Sequence, residues 1–167
     1  YPIMTSRGCM FSCSFCCNSV IREKYKEKGP YLRRRSVDNV ISELKLAIKN
    51  KRVNLIRFWD DIFTYDKKWI EEFCNRFLVE IGKPFYCYGH PKHTDREILA
   101  KLVKSGLTYV AVGLQSGSES VATNIFKRNQ SHQDILDFSK KIKELGIKMR
   151  YDLIADNPYE TMIDQDN

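Results

Sequence analysis

The sequence has no apolar run approaching the roughly 20 residues that a helix needs to cross a bilayer. It does not open with a charged stretch, an apolar segment and a small-residue cleavage site either. A membrane span and a secretion leader are therefore not expected within these residues, and a cytoplasmic setting follows. An internal linker, a low-complexity tract and a repeat are also lacking, so the 167 residues read as one domain, 1–167. An initiating methionine is missing too: Tyr1 comes first, and both ends fall in stretches patterned like structured segments, so the expectation is a piece of a longer protein. What is present is enough apolar material, 43% of residues, to build a core and to exclude a disordered chain.

The formal charge of +7 raises nucleic acid as a partner, because clustered Lys and Arg neutralise phosphate. The densest run, Arg33-Arg34-Arg35 preceded by Lys24, Lys26 and Lys28, lies in a loop-like stretch and reads better as a solvated surface. Six cysteines without a secretion signal do not form a disulfide framework, and three of them fall within eight residues, which in a cytosolic chain points to metal binding.

Beyond that cluster, helical and strand periods alternate. Ser36 is placed to cap a helix with Val37, Val40, Ile41, Leu44 and Ile48 on one stripe, and Asp66 to cap another with Ile70, Phe73, Cys74, Phe77 and Ile81. Thr94 and Glu97 form a capping box ahead of Ile98, Leu102 and Val103, with Gly106 as the stop, and Ser131 opens a helix carrying Ile135, Phe138, Ile142 and Leu145 before Gly146. Strands are expected at 2–6, 53–59, 85–88, 109–114 and 148–154. Each is short and nearly continuous in apolar character, the pattern of a parallel sheet covered by helices. The alternation leaves open a doubly wound sheet or a curved partial barrel.

Cys9, Cys13 and Cys16, spaced by three and then two residues directly after the first strand, let one loop wrap a cubane. A complete ligand set needs four thiolates, so three leave one iron open to an outside ligand. Structural zinc usually closes four ligands, and a second pair of cysteines two residues apart is missing. Cys74 on a helix stripe and Cys87 in a strand read as core, and Cys17 as a spectator.

The segment Cys9-Met10-Phe11-Ser12-Cys13-Ser14-Phe15-Cys16 resembles the cysteine motif of the radical S-adenosylmethionine superfamily. The resemblance implies a 4Fe-4S cluster on Cys9, Cys13 and Cys16, whose open iron takes the amino and carboxylate groups of S-adenosylmethionine. It also implies a TIM-barrel-like, parallel-sheet partial (β/α) barrel, here with about five β/α units and the sixth missing. Further positions follow from it. Phe15 would lie near the adenine. Asp60 and Asp61, at a strand end resembling the segment that binds the methionine ammonium, are held jointly although the family often has glycines there. Gly113-Leu114-Gln115-Ser116-Gly117 resembles the ribose-binding stretch, giving Gln115 and Ser116. Arg128 would pair with the cofactor carboxylate and Ile154 would line the adenine pocket. Asp156-Asn157-Pro158-Tyr159-Glu160-Thr161 resembles a family turn in Pro158, Glu160 and Thr161, while Asp156 and Tyr159 stand where glycine is common. Gly89-His90-Pro91-Lys92-His93 offers a metal pair or a substrate contact, although two histidines across a proline read more readily as a plain loop.

Gln115 in place of the commoner Glu resembles the subgroup that carries a cobalamin-binding domain, which would lie outside this chain. The function implied is reductive cleavage of S-adenosylmethionine to a 5′-deoxyadenosyl radical for hydrogen abstraction, in a cobalamin-dependent methyl transfer or a ring-forming reaction. The substrate is unreadable, and the electron would come from a one-electron reductant such as flavodoxin or ferredoxin. Two alternatives stay open: RNA modification of the tRNA methylthiotransferase kind, with nucleic acid as partner, and a non-catalytic structural metal-binding module. The second leaves the 115–118 and 156–161 stretches unexplained.

Overall fold

The computed structural model describes residues 1–165. Its elements run β1 (Pro2–Ile3), β2 (Ser6–Arg7), α1 (Cys17–Lys24), β3 (Arg33–Arg34), α2 (Val37–Asn50), β4 (Ile56–Phe58), α3 (Lys67–Glu80), β5 (Phe85–Tyr88), α4 (Arg96–Lys104), β6 (Leu107–Gln115), α5 (His132–Glu144), β7 (Lys148–Leu153) and α6 (Met162–Gln165). Five strands form one sheet in the order β1-β4-β5-β6-β7, every neighbouring pair parallel. This is the partial-barrel sheet, with sequence neighbours joined through helices.

Three helix starts follow their sequence signals. The Ser36 side chain accepts from Asn39 N, Asp66 from Trp69 N, and Ser131 from Asp134 N in a reciprocal capping box. The fourth does not. Asp95, not Thr94, caps α4 by accepting from Ile98 N at 2.8 Å, because the buried Thr94 hydroxyl donates to His90 O at 2.9 Å.

The core lies between the sheet and α2 to α5. Phe58 on β4, Phe73 and Phe77 on α3 and Phe85 on β5 are fully buried with Phe63, and the Phe58 ring sits 4.6 Å from Phe63 and 5.4 Å from Phe73 and Phe85. Each such ring contributes roughly 1.5–3 kcal/mol by burial and edge-to-face pairing adds to it.

Three expectations are corrected. The strands are not apolar on both faces: exposed Arg57 alternates with buried Ile56 and Phe58. The concave face is polar and aromatic, whereas helices cover only the other face, and β7 is an edge strand with Leu153 64% exposed. The segment 2–6 is not one strand. After Ile3 it leaves the sheet, because Asp60 accepts from Thr5 N at 3.1 Å and from the Thr5 and Ser6 hydroxyls, and β2 then pairs antiparallel with β3. Hence Arg33-Arg34-Arg35 is not simply a solvated loop. Arg34 is half-buried, lies over the Trp69 ring at 4.1 Å and the Tyr65 ring at 4.4 Å, and donates to Phe63 O at 2.6 Å. Among the described residues, no helix is long and apolar enough to cross a membrane.

Candidate functional site

The cysteine loop joins β2 to α1 at the C-terminal edge of the sheet, the face where loops of barrel folds carry chemistry. Gly8 begins it with φ +88°, and a Cβ there would stand 2.6 Å from Tyr31 O, so only glycine fits. Arg22 of α1 donates to the carbonyls of Cys9 and Phe11 and, at 2.6 Å, to the Ser12 hydroxyl. From the other side, Ser14 donates to Phe126 O at 3.0 Å and to Ile125 O at 2.5 Å, docking the loop on the turn that follows β6.

Cys9, Cys13 and Cys16 line one cavity of about 180 Å³, and Phe15, Asp61, Gln115 and Arg128 line it with them. Each sulfur accepts an N–H: Cys9 Sγ from Phe11 N at 3.5 Å, Cys16 Sγ from Asn18 Nδ2 at 3.6 Å, and Cys13 Sγ from Arg128 Nη1 at 3.9 Å. Among the described residues no group of three or more His, Cys, Asp or Glu could hold one metal ion. A cubane takes each thiolate on a different iron, so three sulfurs around one cavity, each with a donor, fit a cluster rather than a single zinc. Burial first, then the neighbouring acid and thiols, pushes the Cys9 thiol up, the state a bound cation would reverse. Cys74 and Cys87 are buried in the core and far from this arrangement in role; burial pushes the Cys87 thiol far up.

The two aspartates part company. Asp60 is 1% exposed, with its carboxylate filled by Thr5 and Ser6, whereas exposed Asp61 lines the cavity and accepts from Asn18 Nδ2 at 2.9 Å. Gln115 sits at φ +73° where the β6 register shifts, and its side chain and that of Arg128 close over Gly113. A Cβ on Gly113 would be 2.3 Å from Gln115 Nε2 and 3.1 Å from Arg128 Nη2. Gln115 also lines a second cavity of about 310 Å³ with Ser116 and Ile154, and so stands between the two. The Ser116 hydroxyl faces that second cavity only, donating to Glu160 at 3.2 Å and accepting from Ser118 N at 3.1 Å. Phe15 is 41% exposed and meets Phe126 edge-on at 5.2 Å. Asp156 has φ +56°, the conformation that explains why glycine suits this turn.

The 89–93 stretch is not a plain loop. His90 lines the cysteine cavity, is 2% exposed and stacks on Phe11 at 4.3 Å. Its Nδ1 accepts from Lys92 N at 3.3 Å, leaving the ring proton on Nε2, which has no partner among the described residues. Burial, then Arg128, brings its pKa down to about 3, so the ring is neutral. Asn18, Tyr88 and Asp152 also line the cavity without a sequence signal of their own.

A radical S-adenosylmethionine superfamily model matches residues 3–164. An uncharacterized methyltransferase of Pyrococcus horikoshii is 32% identical over 160 residues, 95% of this chain and 33% of the relative. The ribosomal protein uS12 methylthiotransferase RimO of Clostridium acetobutylicum is 26% identical over 172 residues, covering 95% and 36%. The radical S-adenosylmethionine methyltransferase TsrM from Kitasatospora setae, solved with cobalamin and a [4Fe-4S] cluster, superposes with a TM-score of 0.74 at 17% identity over 91% of this chain and 30% of that one. The chain thus spans about a third of the length of the curated relatives it matches. With the family model covering nearly every residue and the fold agreeing, the chain belongs to the radical S-adenosylmethionine superfamily.

Proposed function

We propose that Cys9, Cys13 and Cys16 hold the family's 4Fe-4S cluster and that the same cavity takes S-adenosylmethionine. The observation that carries this is the convergence of three thiols, each with an N–H donor, on one cavity that Asp61, Gln115 and Arg128 also line. When bound, cluster and cofactor supply the chemistry of the family, one-electron cleavage of the sulfonium to a 5′-deoxyadenosyl radical that abstracts hydrogen.

The chain's own residues bind and orient. Asp61 accepts from the methionine ammonium; Asp60 is left out of this role because Thr5 and Ser6 fill its oxygens. Arg128 meets the carboxylate with a guanidinium suited to two parallel bonds. Gln115, between the two cavities, serves the ribose hydroxyls, with Ser116 and Ile154 beyond it and Phe15 beside the adenine. The loop pinned by Arg22 and Ser14 holds the thiols in place before any cluster arrives.

For the whole protein we favour methyl transfer assisted by cobalamin on a segment outside these residues, because a relative at 32% identity is named as an uncharacterized methyltransferase and TsrM, which shares the fold, was solved with cobalamin. RNA or ribosomal modification is the second reading, favoured by the RimO relatives and the +7 charge. A flavodoxin- or ferredoxin-like reductant and a cytoplasmic setting suit six free thiols. The test is electron paramagnetic resonance of the anaerobically reconstituted full-length protein. S-adenosylmethionine should shift the reduced-cluster signal, and Asp61→Ala should weaken that shift while Asp60→Asn does not. An unshifted signal would overturn the assignment.

A further inference from the structure

We propose that the concave face of the sheet is the substrate platform and that it takes a small planar ring system bearing a carboxylate; this rests on the reading that the cysteine cavity is the radical site. Strand alternation sets Arg57, Trp59, Tyr86, Tyr88, Tyr109, Lys148 and Arg150 on this face, opposite the buried Phe58, Cys87 and Val110. The register stacks them in two layers. Arg57, Tyr86, Tyr109 and Lys148 align across four strands, and one step nearer the cysteines Tyr88, Ala111 and Arg150 align with Trp59 beside them.

The rings are packed into a platform. Tyr86 and Tyr109 stack at 4.3 Å, and Trp59 lies 6.3 Å from Tyr86 and 5.8 Å from Tyr88 while remaining 43% exposed. Cations flank it: Arg57 lies over Tyr86 at 5.9 Å, Arg150 donates to the Tyr88 hydroxyl at 2.6 Å, and Lys148 pairs in register with Tyr109. Asp152, the acid on the inward strand positions, is bonded to Arg150 at 3.1 Å. Arg57 and Lys148 have no acidic partner among the described residues. The exposed Trp59 ring and the half-buried Tyr88 and Tyr109, beside cations without an acidic partner, can recognise a π-system through stacking and an anion through charge-assisted bonds.

Two features fix the kind of ligand. Tyr88 and Asp152 line the cysteine cavity as well, so a ring lying on Trp59 and Tyr109 would have its edge toward that cavity. Arg57 on β4 and Lys148 on β7 lie three strands apart and, among the described residues, have no acidic partner, so each offers a single charge at one end of the platform and neither forms the run of cations that RNA phosphates need.

The test uses the full-length, cluster-loaded protein and calorimetric titration with three probes: 2-naphthoate, its neutral alcohol 2-naphthalenemethanol, and cyclohexanecarboxylate. Naphthoate should bind at least about tenfold more tightly than either control, and Arg57→Gln or Lys148→Gln, according to which end takes the carboxylate, should weaken it about tenfold while leaving the alcohol unchanged. Trp59→Leu should weaken both aromatic probes. Equal binding of the three probes, no binding of naphthoate, or affinity indifferent to the variants would overturn the platform. A single-stranded RNA that displaces naphthoate and binds more tightly would overturn the small-molecule assignment. The cofactor-induced shift of the cluster signal is read on the same samples: naphthoate failing with that shift present sinks the platform alone, whereas a missing shift sinks the radical site on which it rests.

Discussion

Arg128 Nη1 stands 3.9 Å from Cys13 Sγ while its Nη2 lies 3.1 Å from where a Cβ on Gly113 would be, so one guanidinium spans the cysteine loop and the end of β6. That bridge ties the loop between β2 and α1 to a residue 115 positions from Cys13, and it explains why Gly113 has no side chain.

Gly113→Ala should therefore leave iron content intact but weaken S-adenosylmethionine binding at least about tenfold, since the methyl displaces both Gln115 and Arg128. Calorimetry on the cluster-loaded protein checks it. Unchanged affinity would mean that neither side chain holds the cofactor.

Asp60 and Asp61 should separate by readout. Asp60→Ala strands the Thr5 and Ser6 donors in a buried site and should cost about 3 kcal/mol in denaturant unfolding, the scale of a lost charged hydrogen-bond network. Asp61→Ala should leave the unfolding midpoint where it is and lower cofactor affinity. The reverse pattern would refute the division of labour.

Phe73→Ala removes a fully buried ring that contacts Phe58, Phe63, Phe77 and Trp69, and should cost about 3–5 kcal/mol. A loss under about 1 kcal/mol, read from urea titration, would contradict the single aromatic core.

The Ser131 backbone N–H, bonding first among several donors, holds the Asp134 carboxyl below its ordinary value of 3.8. A depressed acid stabilises the fold above its unfolded value and loses that contribution as pH falls through the folded one. The stability gap between the protein and Asp134→Asn should be constant above about pH 5 and shrink below pH 4. A gap that widened on acidification would mean the carboxyl is not held by the cap.

What the sequence made legible was local. Ser36, Asp66 and Ser131 act on their own helices, and the cysteine loop is continuous in the chain, so their bonding partners lie within a few residues. Thr94 and Asp95 are adjacent acceptors, and only the packing of Thr94 against His90 decides between them. His90 enters the site because Phe11 stacks on it across 79 residues of chain, and Arg34 is half-buried because Tyr65 and Trp69 come from another segment. The same holds for Asp60 and Asp61, where one residue of offset turns a carboxylate from the Thr5 backbone to the cavity. The aromatic concave face is not legible in the sequence for another reason: short strands rich in Tyr and Trp are patterned like doubly buried ones, and only the placement of the helices on one side distinguishes them.

The central claim, three thiols holding a cubane, is tested most directly by iron and sulfide analysis of the anaerobically reconstituted protein and its single Cys→Ala variants. About four irons and four sulfides per chain are expected, retained in Cys74→Ala and lost in each of Cys9→Ala, Cys13→Ala and Cys16→Ala. One zinc and no sulfide, or equal retention in all four variants, would contradict it.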